Sequence, residues 1–331
     1  MDDLLHRVLT KLLAKKGRGL QATRGVTLEK TGVILHLTNP RARLSRTARR
    51  SQIFSCLGEL AWYLAKTDSL AFITYYVAAY KKESADNKTI SGAYGPRMFN
   101  FRGEDQVANI IKLLRERQNT RRAVIQIFDA ADLKNTREVP CTCSIQFMVR
   151  QKKLHAFTMM RSNDAYLGLP HDVFAFTMIQ ELIARAVGVE IGTYKHVVGS
   201  LHLYEDHIEA AQAYVEDGLH ETVQMPPMPV GNQFEAVKHF LKVESKIRRK
   251  KKVDLDSVDL EPYWKDLARL LRIYRFSRDS DPRGMARQMK KMTSKIYDQY
   301  IENKRRGVQQ RLASAPVQRP LFPDSDAELA N

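Results

Sequence analysis

The stretch that most constrains this chain runs from residue 140 to residue 172. Ile145, Phe147 and Val149 alternate with Gln146, Met148 and Arg150, and a second alternating run covers Leu154 to Met160. Period-two patterning predicts two neighbouring strands, each with one face toward a core. Cys141 then falls at one end of the pair, close to Arg161. A guanidinium beside a thiol favours the thiolate, the form that attacks carbon, so this pairing reads as a nucleophile with electrostatic support. Taken alone, Cys141 would more often be a buried cysteine acting as a small apolar residue. The rest of the chain decides between the two.

With 331 residues, 44% of them hydrophobic, the chain can bury a full core as one large domain or one domain with an appendix. Cys56, Cys141 and Cys143 are too few for a disulfide framework, and Cys141-Thr142-Cys143 lacks the two-residue gap of a zinc or thioredoxin motif. No metal site is expected, and a reducing, cytoplasmic setting is the simplest reading. Leu4, Leu5, Val8, Leu9, Leu12 and Leu13 have helical spacing, but charges interrupt a run too short to span a bilayer. The formal charge of +17 calls for an anionic partner, either nucleic acid or a phosphate-bearing small molecule. Much of it lies late, in residues 246–252 and 269–306, where a solvated face and a polyanion contact are both open.

Gly17, Gly19 and Gly25 punctuate a loop around Arg24, and Val33 to Leu37 reads as a strand ended by Asn39-Pro40. From Arg50 to Leu64, Ile53, Leu57, Leu60 and Leu64 make one helical face that also carries Glu59; by itself Glu59 reads as a surface residue. Residues 91–97 form a turn-rich loop, and Val107 to Gln118 an amphipathic helix. Arg121 and Arg122, ahead of an apolar strand from Ala123 to Phe128, make a bidentate fork suited to phosphate. Val173 to Val187 reads as a core helix, Glu190 to Leu203 as a strand, and Glu205 to Val215 as a helix. Pro226, Pro227 and Pro229 mark a break. Helices follow at Pro262 to Phe276 and Pro282 to Arg306, each with proline in its first turn. The expected organisation is a catalytic domain over residues 1–240, a basic helical extension over 241–312 and a loosely ordered tail over 313–331.

The order of motifs resembles the thymidylate synthase family over roughly Arg24 to His207. It is carried by Gly58-Glu59-Leu60-Ala61-Trp62-Tyr63-Leu64, Tyr94-Gly95, Arg121-Arg122, Pro140-Cys141, Gln146, Arg161-Ser162-Asn163-Asp164, Leu167-Gly168-Leu169-Pro170 and Gly199-Ser200-Leu201-His202-Leu203-Tyr204. Each motif is weak alone; in this order and spacing they are specific. The resemblance implies an α+β fold whose large bent sheet forms a homodimer face, with helices packed on the other side and extra helices at the C-terminus. It implies that Cys141 adds to C6 of a pyrimidine nucleotide and makes C5 nucleophilic. Arg161 and Ser162 would bind the 5′-phosphate from one subunit, Arg121 and Arg122 would reach it from the partner, and Arg24 would complete the cluster. His202 and Tyr204 would contact the ribose 3′-hydroxyl, and Tyr94 belongs with the substrate-binding residues. Glu59 would be the buried acid that moves protons through water, and Asp164 the carboxylate on the pterin ring of 5,10-methylenetetrahydrofolate, the one-carbon co-substrate.

One departure bears on the substrate. Thymidylate synthases carry asparagine where this chain has Asp172 in Leu169-Pro170-His171-Asp172. An amide accepts from N3–H and donates to O4 of uracil. A carboxyl group better fits cytosine, accepting from N4 and sharing a proton at N3. The same aspartate marks the cytidylate hydroxymethylase branch, which this chain resembles; Thr142, where the family usually has histidine after Pro-Cys, agrees. In that branch water captures the C5 methylene, giving the 5-hydroxymethyl derivative of dCMP or CMP. A thymidylate synthase or dUMP hydroxymethylase with protonated Asp172 is the alternative within the fold. A non-catalytic nucleic-acid-binding protein using the basic C-terminal third is the alternative of another class.

Overall fold

The structure is a computed structural model and describes residues 1–14, 19–22, 25–45, 52–134 and 138–314. Arg24, and the expected tail from residue 315 onward, lie outside the described residues. The fold is α+β. Six strands, β1 (Leu20–Ala22), β2 (Gly25–Leu37), β3 (Val124–Gln126), β4 (Thr142–Arg150), β5 (Lys153–Asp164) and β6 (Glu190–Tyr204), form one mixed sheet in the order β1-β2-β6-β5-β4-β3.

The alternating runs at residues 145–149 and 154–160 pair antiparallel, with Phe147 opposite Ala156. Gln151 and Lys152, both at positive φ (50° and 58°), make the two-residue turn between β4 and β5. Two successive residues at positive φ match a type I′ turn, whose twist suits a tight hairpin. β5 and β6 run parallel, which requires a crossover. That crossover is the long helix over Gly168–Val187, buried on nearly every side and ended by Gly188 at φ 82°. A helix that is apolar all round belongs inside, so it packs between the sheet and the helices outside it.

Eleven helices are described: α1 (Asp2–Leu13), α2 (Ile53–Leu64), α3 (Leu70–Tyr76), α4 (Tyr94–Phe99), α5 (Gln106–Glu116), α6 (Gly168–Val187), α7 (Ile208–Glu216), α8 (Phe234–Arg248), α9 (Pro262–Arg278), α10 (Pro282–Lys290) and α11 (Asp298–Ala313). Several boundaries differ from the sequence reading, four of them in ways that change an element. The strand at Val33 begins already at Gly25, because its outer half pairs with β6 although its side chains do not alternate cleanly. The loop at residues 91–97 winds into α4, where Pro96 sits in the first turn and displaces no helical hydrogen bond. The helix expected from Glu205 opens with a 3₁₀ turn, Glu205–His207. The helix expected from Pro282 to Arg306 is two, because the Asp266 carboxylate takes the amides of Thr293 and Ser294 at 2.9 and 2.8 Å and holds the chain out of the helix.

The C-terminal helices pack on the rest of the molecule. Tyr274 of α9 stacks on Phe54 of α2 at 6.3 Å and donates its hydroxyl to the Tyr75 carbonyl at 3.0 Å. Part of the late positive charge has intramolecular partners: Arg248 pairs with buried Glu244 at 2.7 Å and lies over the Phe72 ring, and Lys250 pairs with Asp279 at 2.6 Å. Glu181 on α6 anchors the segment before α2. It accepts from Arg41 at 2.8 Å and from wholly buried Arg43 at 2.6 Å. Removing one partner of such a buried pair strands the other, so Glu181→Ala is expected to cost about 3–5 kcal/mol. Denaturant midpoints of the two proteins measure it.

Candidate active site

Cys141 lies at the head of β4, where the Arg161 amide donates to the Cys141 carbonyl at 2.8 Å and ties the two strands together. The Arg161 guanidinium is held by the carbonyls of Pro140 at 3.0 Å and Val139 at 2.9 Å. From there it reaches 3.8 Å from Cys141 Sγ. A fixed cation at this range lowers the cost of the thiolate. Next along the chain, the Thr142 amide donates to Tyr94 Oη at 3.2 Å. Burial pushes the Tyr94 phenol well above its ordinary range, with Cys141 and Asp172 adding to the effect, so it stays protonated. One phenol therefore feels both the thiol and the carboxyl group.

In-and-out burial is regular along β5 from Leu154 to Met160 and then breaks: Arg161 is exposed, Ser162 half-buried and Asn163 buried. Asn163 Nδ2 donates to Asp172 Oδ2 at 2.8 Å. Asp172, in the first turns of α6, is buried, and burial with the nearby Glu59 charge pushes its carboxyl up to about 8. It is therefore a neutral acid at pH 7, able to donate as well as accept. Gly168 permits this approach: a Cβ there would lie 3.0 Å from Asn163 Nδ2. Arg161 and Asn163 are two residues apart on one strand, a step of about 7 Å. Tyr94, whose phenol is affected by both Cys141 and Asp172, connects the thiol and the carboxyl.

Glu59 is buried, as the resemblance implies and against the surface reading of its helix alone: it is 5% exposed, and α2 turns it inward against α6. Its Oε1 accepts from the hydroxyls of Tyr63, at 3.0 Å, and Tyr80. Its Oε2 faces His171 Nδ1 at 2.5 Å. Ser55 Oγ gives its hydrogen to the Gln52 carbonyl at 3.0 Å, so it accepts from His171 Nε2, 3.2 Å away. Nε2 therefore carries a hydrogen, and Nδ1 and Oε2 share one proton between them. Burial alone would raise the Glu59 carboxyl, but the His171 charge and the hydrogen bonds from His171, Tyr80 and Tyr63 hold it below its usual range. Burial opposes the imidazolium, yet Cys56 and Glu59 raise it well above its ordinary value. The shared proton rests on His171. Removing the imidazole leaves burial dominant at Glu59, so His171→Phe is expected to move the acidic limb of the kcat profile to higher pH and to lower kcat by about 10²-fold. An unmoved limb would show that His171 does not set the protonation of Glu59.

The other expected residues fall into three groups. Ser162 and Asp164 lie on the same strand end, in register with Ser200 and His202 of β6. The His202 and Tyr204 rings meet edge to face at 5.0 Å. Arg121 and Arg122 are exposed ahead of β3, beside Gln146 and Phe147 of β4. They are five or more residues from Cys141 along the strand, on the order of 17–20 Å. One protomer does not bring them to its own Cys141. Arg24 lies outside the described residues. Four polar residues received no role from sequence: His171, Asn163, His196 and Tyr80. His171 and Asn163 stand inside the recognised motifs, and their signal was polarity at positions flanked by apolar or charged partners. Nothing local marks His196 or Tyr80, because only the fold brings them close.

A thiol beside a guanidinium, a neutral carboxyl and a buried acid network are the titratable groups this part of the fold brings together. The chain belongs to the thymidylate synthase family, whose model matches residues 2–256. Its enzymes transfer a one-carbon unit from methylenetetrahydrofolate to a pyrimidine monophosphate and are typically dimers. The residues present fit that co-substrate. Asp164 Oδ1 accepts from the amides of Tyr166 at 2.7 Å and Leu167 at 3.2 Å, which fixes the carboxylate as an acceptor of the kind the N–H groups of a pterin would need, with the exposed Leu167 side chain as an apolar neighbour. Among the described residues no cluster of three or more metal-ligand side chains occurs, and no helix is long and apolar enough to cross a membrane.

Proposed function

We propose that this protein is a folate-dependent cytidylate 5-hydroxymethyltransferase, acting on dCMP or CMP. The observation that carries this reading is the buried, neutral Asp172 carboxyl, held 2.8 Å from Asn163, which stands two residues along β5 from Arg161, the partner of Cys141. A neutral carboxyl offers one donor and one acceptor side by side, which serves N3 and N4 of cytosine in one orientation and N3 and O4 of uracil in the other; the cytosine reading takes the orientation in which the hydroxyl faces N3. The Cys141 thiolate adds to C6, and the electron pair passes to C5. C5 bonds to the one-carbon unit supplied by the folate, and the C5 proton leaves to a base through the Glu59–His171 network. Loss of that proton expels the folate nitrogen and leaves an exocyclic methylene at C5; water then adds to it as the C6–S bond breaks, giving the hydroxymethyl nucleotide and tetrahydrofolate with no net redox change. Arg161 and Ser162 hold the phosphate, with His202 and Tyr204 on the ribose and Tyr94 beside the ring.

The position of Arg121 and Arg122, remote from Cys141 of their own protomer, supports a homodimer in which they complete the partner's phosphate site. Ile34, Val124 and Met159, exposed at 66%, 41% and 52% on three strands, supply apolar area for such an interface. Turnover of dCMP, CMP and dUMP with methylenetetrahydrofolate, with products identified by mass, tests the assignment. Preferred formation of 5-hydroxymethylcytidylate is expected; preferred conversion of dUMP to dTMP would overturn it.

A further inference from the structure

Behind Asp172 runs a chain of buried polar groups that no step of the chemistry uses. Asn163 Nδ2 donates to Asp172 Oδ2 at 2.8 Å, Asn163 Oδ1 faces His196 Nε2 at 2.9 Å, and His196 Nδ1 meets the Tyr194 hydroxyl at 2.8 Å. Asn163, His196 and Tyr194 are 4%, 1% and 1% exposed, so they are shielded from bulk solvent and bond to one another. Each link fixes the next. Burial pushes the His196 imidazole down to about 3, so it is neutral and has one donor and one acceptor nitrogen. The Asn163 oxygen can only accept, so the hydrogen of His196 is on Nε2, and Nδ1 accepts from Tyr194. This arrangement is consistent with, and supports, the Asn163 NH₂ facing Asp172.

We infer that Asn163 is a positioning residue that fixes the donor–acceptor polarity of Asp172 and so decides which pyrimidine edge the site accepts. This rests on Asp172 as the group that reads the base. Facing an N–H, Oδ2 acts as an acceptor, the role the carbonyl oxygen of a neutral acid fills better than its hydroxyl, which favours the hydroxyl on Oδ1. Cytosine and uracil present opposite orders of donor and acceptor at N3 and the C4 substituent. A carboxyl free to turn over by half a rotation serves either. Turning it here would aim the acid hydrogen at the Asn163 amide hydrogens, donor against donor. Gly168, with no Cβ, leaves the room in which this contact is made.

The test is the ratio of affinities for dCMP and dUMP, by calorimetry, and of their kcat/KM values, in wild type, Asn163→Leu, His196→Phe and His196→Gln. Loss of one buried hydrogen bond corresponds to about tenfold, so the base preference should narrow by about tenfold or more in Asn163→Leu and His196→Phe. His196→Gln, whose amide can replace Nε2–H, should keep it. If Asn163→Leu does not fold, the two His196 variants decide, with Asn163→Ser as a smaller replacement. Equal losses for both nucleotides, with the ratio unmoved, would reduce the chain to a structural support and overturn the inference. The outcome is separable from that of the proposed function. A wild type preferring dUMP would sink the cytosine assignment, while the role of Asn163 would still stand or fall on whether that preference narrows in the variants.

Discussion

Cys141→Ser is expected to abolish exchange of the C5 hydrogen of the substrate nucleotide while leaving nucleotide binding within a few-fold of wild type. C5 of a pyrimidine becomes carbanion-like only after a nucleophile has added at C6, so exchange reports that addition even without folate. The hydroxyl of serine is a far weaker acid than a thiol, and Arg161 at 3.8 Å is suited to a diffuse sulfur anion. Removing a covalent nucleophile typically costs about 10⁴-fold or more in turnover. Tritium release from C5-labelled nucleotide measures the loss, and calorimetry the retained binding. Exchange near the wild-type rate would remove Cys141 from its proposed role; loss of binding together with exchange would make the residue structural.

Asp172→Asn combined with Asn163→Asp, which swaps acid and amide so that the NH₂ of residue 172 faces the acceptor at 163 and its oxygen faces the base, is expected to invert base preference, raising the dUMP-to-dCMP ratio of kcat/KM by up to about 10⁴, the range reached when a site is built to hydrogen-bond one substrate group and meets its opposite. The amide keeps the size of the carboxyl and changes only which atoms donate. The wild type should also carry a pH signature. The group is neutral below its raised pKa of about 8 and ionised above it, so kcat/KM for dCMP should fall with a limb near that pH as the donor to N3 is lost. Asp172→Asn should lack the limb. A ratio that stays at its wild-type value would dissociate Asp172 from base recognition.

Much of this was legible before any coordinates. The β4–β5 hairpin follows from alternation at residues 145–160, and the proximity of Cys141 to Arg161 follows from that hairpin. The fold class and family follow from ordered motifs, since glycines and charged residues at fixed spacing leave few alternatives. Glu59 was misread from its local helix because burial of a carboxylate depends on partners distant in sequence, here Tyr80 and His171. The break between α10 and α11 was hidden for the same reason: its cause is Asp266, some twenty-seven residues upstream. The chain from Tyr194 to Asp172 joins three elements and has no signature in any one of them. Short-range pattern reveals strands, helices and the ends of turns; it does not reveal which polar groups the fold buries against one another.

The most direct measurement of the central claim is covalent trapping with 5-fluoro-dCMP and methylenetetrahydrofolate, because fluorine at C5 cannot leave as a proton and the adduct should accumulate. Digestion and mass spectrometry are expected to find the nucleotide and the one-carbon folate together on the peptide carrying Cys141, with 5-fluoro-dUMP trapped far more slowly. Trapping by the uracil analogue alone would contradict the cytosine assignment, and an adduct that forms without Cys141 would contradict the mechanism itself.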